Sequence, residues 1–475
     1  MASATVTRAL APAPVPTRRR VADRREHPPS SLFVAAVVVG AGLRVWRAAH
    51  NGASFDESFT AIAGRRPLGD LFGFLGRADS HPPLDYLLRM PLARAGASDF
   101  WLRSPSIVFS IAALVLFASW MRPRGWFGLL ATALFSFSTF QVLYGGEARM
   151  YALLELLGVA AAVVGERWLR APRAWHAWCL SGLTAVALFD HASGFLLGLG
   201  LLVLAGTRGD REAWRLRALL AGAAATWAVL WGLTAVTQLG HSWSDWVPRT
   251  TPTVFARVVS QQIASVDVAV WPLLAGVVFG GVVLVRRDPR LARVWAALGA
   301  VPFVAAALVG IATPFLLPRT LTLASWAPVL ALAALLDAAR RRWTTVGRVV
   351  AIAVPVFVLL ASATFLADKT WDYDLSISEL ERVAQPGDVV AVRPARYGTL
   401  AAWRFDVHGS RPTRPVTVDG IADADGRQVL GARRTGRIWI LTPLGSATTF
   451  AGYRSCAPPW SDGVTTVICR EPKIG

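Results

Sequence analysis

The chain alternates long apolar runs with short polar connections. Apolar blocks fall at 31–50, 104–121, 126–143, 150–165, 177–189, 193–206, 219–236, 268–285, 294–312, 321–339 and 349–367. Most approach the roughly 20 residues that a helix needs to cross a bilayer's hydrocarbon core. Apolar character sustained over that length, without alternation, predicts membrane helices rather than strands. The result is about eleven spans. The pair on either side of Asp190 is the shortest, and reads either as two short helices or as one re-entrant element. After residue 367 the pattern changes. Segments 387–392, 437–441 and 465–469 read as short strands bounded by turn residues, with helical patterns at 379–384 and 397–408. The predicted architecture is an all-α polytopic membrane protein over 31–367, followed by a small α/β domain at 368–475. Residues 1–30, rich in Ala, Pro and Arg and without periodicity, are expected to be disordered.

Composition agrees. Of 475 residues, 54% are hydrophobic and only 17% are charged, against about 25% charged in soluble domains. A net charge of +19 would suit a nucleic-acid partner. That class is excluded because the arginines lie between apolar blocks and not on one amphipathic face. Threading the blocks alternately puts the basic tail, Arg122 and Arg124, Arg167 to Arg173, Arg208 to Arg217, Arg286 to Arg293, and Arg340 to Arg348 on one side. Short basic loops mark the cytoplasmic face. The expected protein is a multi-pass plasma-membrane protein with a cytoplasmic N-terminus. Loop 51–103 and the C-terminal domain are then extracytoplasmic. A basic tail before an apolar run also resembles a signal peptide, but no clean small-residue cleavage site follows it. Cys456 and Cys469 lie together in the external domain and suit either a disulfide or two thiols.

Candidate chemistry concentrates outside. Loop 51–103 carries the adjacent carboxylates Asp56 and Glu57. Such a pair suits general-base work and raises both pKa values if both groups face one site. The same residues also suit a helix N-cap. His81-Pro-Pro-Leu84 follows in the same loop; Pro83 is placed to start a helix, and His81 then suits a phosphate or a metal, or is an incidental residue of a helix entry. Glu147-Ala-Arg-Met-Tyr151 lies at an outer helix end, where Arg149 suits phosphate oxygens and Arg with Tyr also suits an interfacial belt. Glu155 falls inside a span and should face the protein interior with a partner. Arg319 stands at an outer helix start, to clamp a lipid phosphate or to snorkel to headgroups. Around His241, Trp243, Asp245 and Trp246, the aromatic residues suit sugar stacking or an interfacial helix.

Taken together, Phe55-Asp-Glu57 after the first helix, His81-Pro-Pro-Leu84, Glu147-Ala-Arg-Met-Tyr151 and Pro318-Arg319 resemble the GT-C fold glycosyltransferases. The nearest likeness is to the superfamily of protein O-mannosyltransferases and aminoarabinose transferases, over about 31–367. Thr320 stands where several relatives carry Tyr, and His81 where some carry Lys. The resemblance implies an inverting transfer of a sugar from a polyprenyl-phosphate donor to a glycan, glycolipid or protein acceptor at the outer face. Asp56, with Glu57 beside it, would supply the base. His81, Glu147, Arg149, Tyr151, Arg319 and His241 would bind substrate. Cofactors are none or a divalent metal ion, for which the sequence shows no site. A transporter or lipid-carrier flippase explains the helices and basic loops equally well, but calls for more polar or broken mid-membrane helices than Glu155 supplies. A scaffold binding cell-wall polymers leaves the acidic loop without a role. A polymerase or ligase of lipid-linked glycans differs mainly in its acceptor.

Overall fold

All eleven apolar blocks are helical. The computed structural model describes residues 27–79, 81–239, 247–367, 379–380, 382–383, 385, 388–392, 416–417, 437–443, 453–461 and 465–472. Helices α1 (Ser30–His50) and α5 (Asp99–Met121) flank the first long loop, which folds as α2 (Phe55–Gly64), α3 (Leu68–Ala78) and α4 (Leu84–Arg94). Then follow α6 (Trp126–Phe137), α7 (Thr139–Gly145), α8 (Tyr151–Arg170), α9 (Ala174–Asp190), α10 (Phe195–Gly206) and α11 (Arg211–Leu239). The remainder are α12 (Pro252–Gln261), α13 (Val270–Arg287), α14 (Pro289–Val294), α15 (Val301–Ala312), α16 (Trp326–Arg342) and α17 (Thr344–Ala367).

Among the described residues, six helical stretches are long and apolar enough to cross a membrane unaided: 30–50, 99–124, 211–238, 267–287, 289–312 and 345–365. Two bent pairs raise the number to eight. One is α6 with α7, bent by 51°; the other is the 3₁₀ segment Pro318–Ala324 with α16, bent by 68°. The other three of the expected eleven blocks form α8, α9 and α10. They are helical, but α9 and α10 are short and α8 carries Glu155, Glu166, Arg167 and Arg170. The region around Asp190 is two helices joined by a 3₁₀ turn, Ala192–Gly194.

The centre of the bundle is α16. It is apolar on all sides until its last turn, so it must be covered on all sides. Residues 326–334 are buried against α6, α13 and α17. At its basic end Asp337, fully buried, accepts from Arg340 Nε (3.1 Å) and Arg341 Nε (3.0 Å) and pairs with Arg287. Helix α8 lies against the 3₁₀ segment through Gly158. A Cβ at this position would sit 1.9 Å from the Leu323 carbonyl oxygen, so only glycine permits the approach. Glu155 faces inward, as its cost in lipid requires. With the Gln141 amide turned toward it, Gln141 donates to Glu155 Oε1 (2.8 Å) and accepts from Ser325 Oγ (2.9 Å), at the 68° break.

The C-terminal residues form a six-stranded sheet of β1 (Val389–Val392), β2 (Val416–Thr417), β3 (Ile438–Pro443), β4 (Tyr453–Ser455), β5 (Trp460–Ser461) and β6 (Thr465–Pro472). The order is β2-β1-β3-β6-β4, with β5 also on β6. β1 runs parallel to β2 and β3; β6 runs antiparallel to β3, β4 and β5. The three expected strands are β1, β3 and β6. Residues 379–380 and 382–383 are helical, and the expected helix 397–408 lies outside the described residues. Cys456 and Cys469 are disulfide-bonded, their Cα atoms 5.3 Å apart. Trp439, Leu441, Val467 and Cys469 on the sheet share an apolar cluster with Ala53, Ala61, Ala93, Leu102 and Ala148. The sheet thereby packs on the first long loop, the start of α5 and the turn before α8.

Candidate active site

The first long loop is fixed by its own capping box and by α5. Ser54-Phe-Asp-Glu57 is a capping box: Glu57 N–H donates to Ser54 Oγ (3.3 Å) and Ser54 N–H to Glu57 Oε2 (2.8 Å). The cap is therefore Ser54 and not Asp56. Glu57 also receives Arg103 as a fork, Nε to Oε1 at 2.6 Å and Nη2 to Oε2 at 2.7 Å, and Ala148 N–H to Oε1 at 2.7 Å. Four donors thus fill the four acceptor positions of one carboxylate. Arg103 spends its remaining N–H groups on the carbonyls of Ala48, Asn51 and Gly52. Burial pushes the Glu57 carboxyl up, but Arg103 and the backbone N–H groups of Ser54 and Ala148 hold it at about 2. Glu57 is a framework ion. The two carboxylates do not face one site: one helical residue apart means about 100° of rotation, and Glu57 meets Arg103 and Ala148 while Asp56 meets Arg319.

Asp56 turns to the open side, its side chain 28% exposed. Arg319 Nη1 donates to its Oδ2 at 2.7 Å. Arg149 Nη1 reaches its backbone oxygen at 3.4 Å, Thr60 Oγ1 at 3.1 Å and Tyr86 Oη at 3.1 Å. Burial pushes the Asp56 carboxyl up; the charges of Arg149 and Arg319 outweigh it and leave the group below the usual carboxylate range. Tyr86 donates in turn to Asp79. Arg149 is itself oriented from behind, since Arg89 Nη2, paired with Asp85, donates to the Arg149 carbonyl at 3.1 Å.

His81 sits just ahead of α4, whose N-cap is Pro83. Its ring lies on that of His191, centroids 4.6 Å apart, and His191 meets Tyr151 at 5.9 Å. Burial and the charges of Arg149 and Arg319 hold His81 well below the ordinary histidine range, so the ring is neutral near pH 7. His191 Nδ1 accepts from Ser193 N–H at 2.9 Å. Tyr151 stands edge-on to Tyr144, centroids 5.0 Å apart. Three buried polar atoms here have no partner: His81 Nδ1, Arg149 Nε and Tyr151 Oη. Glu147 is half-buried; its backbone oxygen accepts from Arg149 N–H at 2.8 Å, and its carboxylate makes no hydrogen bond or ion pair among the described residues. Burial and the negative charge of Glu57 push its carboxyl up to about 7, against the pull of Arg47.

The structure thus gathers Asp56, His81, Arg149, Tyr151 and Arg319, with Glu147 coupled to them through charge. Glu57 stands behind them. His241 lies outside the described residues. Among the described residues no three His, Cys, Asp or Glu side chains assemble to hold a metal ion. Sequence reading missed Arg103, Tyr86 and His191. Arg103 was detectable by the logic applied to Glu155: a charge in the first turns of an apolar helix needs a buried counter-ion. Tyr86 and His191 had no such signal, because tertiary packing alone joins them to Arg149 and His81.

No family model matches the sequence, and no curated protein is similar to it in sequence. The fold is similar to that of ArnT from Cupriavidus metallidurans. The apo crystal structure aligns with a TM-score of 0.57 at 15% identity, covering 93% of this chain and 97% of that one. The structure bound to undecaprenyl phosphate gives 0.54 at 14%, with the same coverage. The arabinosyltransferase EmbB from Mycobacterium smegmatis is a more distant likeness, with a TM-score of 0.42 at 13% identity over 93% of this chain and 48% of that one. The chain accordingly has the GT-C fold that its motifs resemble.

Proposed function

We propose that this membrane protein moves a sugar from a polyprenyl-phosphate carrier to an acceptor hydroxyl at the outer face, with inversion at the anomeric carbon. One observation carries the reading. A partly open carboxylate, Asp56, is paired with Arg319, while Arg149 donates to its backbone oxygen, beside three buried polar atoms that lack partners among the described residues. A carboxylate is suited to take the acceptor's proton as the oxygen attacks. The leaving group is a polyprenyl phosphate. Its charge grows as the bond to the sugar breaks, and it needs positive groups fixed in advance. Arg149 and Arg319 fit that task, with His81 and Tyr151 as further hydrogen-bond partners. The ArnT structure carries undecaprenyl phosphate in the same fold, which supports a lipid phosphate as the donor's carrier. The transporter reading lacks a comparable observation: with the Gln141 amide turned toward Glu155, the buried groups Glu155, Gln141 and Ser325 satisfy one another.

The test is sugar transfer from radiolabelled polyprenyl-phosphate sugars in membranes that hold the wild type or Asp56→Asn. Loss of transfer by the variant, at normal protein level and with donor still bound, supports Asp56 as the base. Full transfer by the variant moves the role to Glu147. Transport of an intact lipid-linked sugar without transfer by the wild type overturns the reading.

A further inference from the structure

At the basic end of the bundle, far in sequence from the acidic loop, a cavity of about 260 Å³ opens between α6, α16 and α17. Trp126, Leu130, Arg340, Arg348, Ala351 and Ile352 line it. Arginines at helix ends are ordinary in membrane proteins, so their number carries no weight here. Their arrangement does. Arg340 is held from below by Asp337, Nε to Oδ1 at 3.1 Å, and its guanidinium lies 5.2 Å from the centre of the Trp126 ring. Asp337 is shared among Arg287, Arg340 and Arg341. Arg348 has no carboxylate partner among the described residues. Below the two guanidiniums the walls are aliphatic: Leu130, Ala351 and Ile352.

The cavity is built into the turn. Gly347 presses on the end of α16, where a Cβ would lie 2.1 Å from the Ala339 carbonyl oxygen. That approach places Arg348, the fifth residue of α17, across the cavity from Arg340. The excess positive charge, an indole at headgroup depth and an apolar floor together fit one class of ligand. We infer that this cavity binds an anionic phospholipid of the surrounding leaflet, its phosphate between Arg340 and Arg348 and its first methylenes along Leu130 and Ile352. Basic pockets between membrane helices take such headgroups. The remaining acyl chain would lie along the outer face of α17, where Val349, Ile352 and Val356 are exposed. The site is independent of the reaction proposed above.

The experiment is native mass spectrometry of the detergent-purified full chain, titrated with phosphatidylglycerol, phosphatidylcholine or inorganic phosphate. The wild type should retain one phosphatidylglycerol per chain, and Arg348→Gln should bind it at least tenfold more weakly. Arg342→Gln, in the same arginine run but outside the cavity, should bind as the wild type does. Ile352→Trp changes an exposed, lipid-facing side chain and fills the apolar floor; it should lose the lipid with all charges in place, which keeps the test sound if Arg348→Gln is unstable. Equal retention of phosphatidylcholine overturns the proposal. So does equal weakening by Arg342→Gln, which would mean diffuse charge. Saturation by inorganic phosphate at the same concentrations would overturn the lipid assignment and leave a simple anion site.

Discussion

Replacing Glu57 by Gln removes one charge and almost no volume, and it separates framework from chemistry. The wild-type carboxyl is held at about 2 against an ordinary 4.5. Such a depression is on the order of 3 kcal/mol of folding free energy. Removing one member of a buried ion pair costs about 3–5 kcal/mol by a separate route, because Arg103 would keep its charge with only the Ala48, Asn51 and Gly52 carbonyls around it. The two figures agree. Glu57→Gln should therefore unfold at a clearly lower temperature at pH 7, followed by tryptophan fluorescence of the detergent-solubilised chain. The sign with pH follows from a depressed carboxyl. Its stabilisation is complete above about 4.5 and is lost as pH falls toward about 2, so the gap between wild type and variant should close over that window. What refutes the argument is a Glu57→Gln protein that melts with the wild type at pH 7 yet transfers no sugar. Glu57 would then act on substrate, and the four donors on its carboxylate would have to part in the working enzyme.

Asp56→Asn should do the reverse, melting as the wild type does and losing about 10²–10⁴-fold in transfer rate, read with a saturating radiolabelled donor. Arg319→Gln removes a charge that holds the Asp56 carboxyl down; the acidic limb of the pH–rate profile should move to higher pH, along with weaker donor binding. Glu147→Gln should remove an ionisation near pH 7 from that profile, and an unchanged profile would separate Glu147 from the reacting groups. Gly158→Ala drives a Cβ into the Leu323 carbonyl and should shift the segment that carries Arg319, lowering transfer with no charge altered.

Much of the fold was legible because the bilayer enforces a coarse rule. Each apolar block became a helix, since backbone groups in lipid have no other partners. The rule fixes helices better than spans: α6 and α7 read as one block, yet Ser138 breaks them by capping α7, its Oγ accepting from Gln141 N–H at 3.4 Å. The motif residues were legible for another reason, since polar groups at outer helix ends stand out against an apolar chain. Their division of labour was not. Asp56 and Glu57 are neighbours of one chemical type, and only the arrival of Arg103 from α5 and Ala148 from the turn before α8 makes one of them a strut.

The same contrast explains why the resting arrangement around Asp56 is self-satisfied on one side only. Arg319 rests on the Asp56 carboxylate at 2.7 Å, on a 3₁₀ segment that leaves its bundle helix at a 68° break. A base neutralised in this way is a weak base. On the proposed reaction, an entering lipid phosphate brings negative charge to Arg149 and Arg319 and competes with Asp56 for the Arg319 guanidinium. As Arg319 turns to the phosphate, Asp56 loses its hydrogen-bonded partner, one of the two arginine charges that depress it, and regains part of its basicity when an acceptor hydroxyl has work for it. Arg149, fixed by Thr60, Tyr86 and the Arg89 contact to its carbonyl, is too constrained to move in this way. The mobile part of the exchange therefore falls to Arg319 and the stationary part to Arg149.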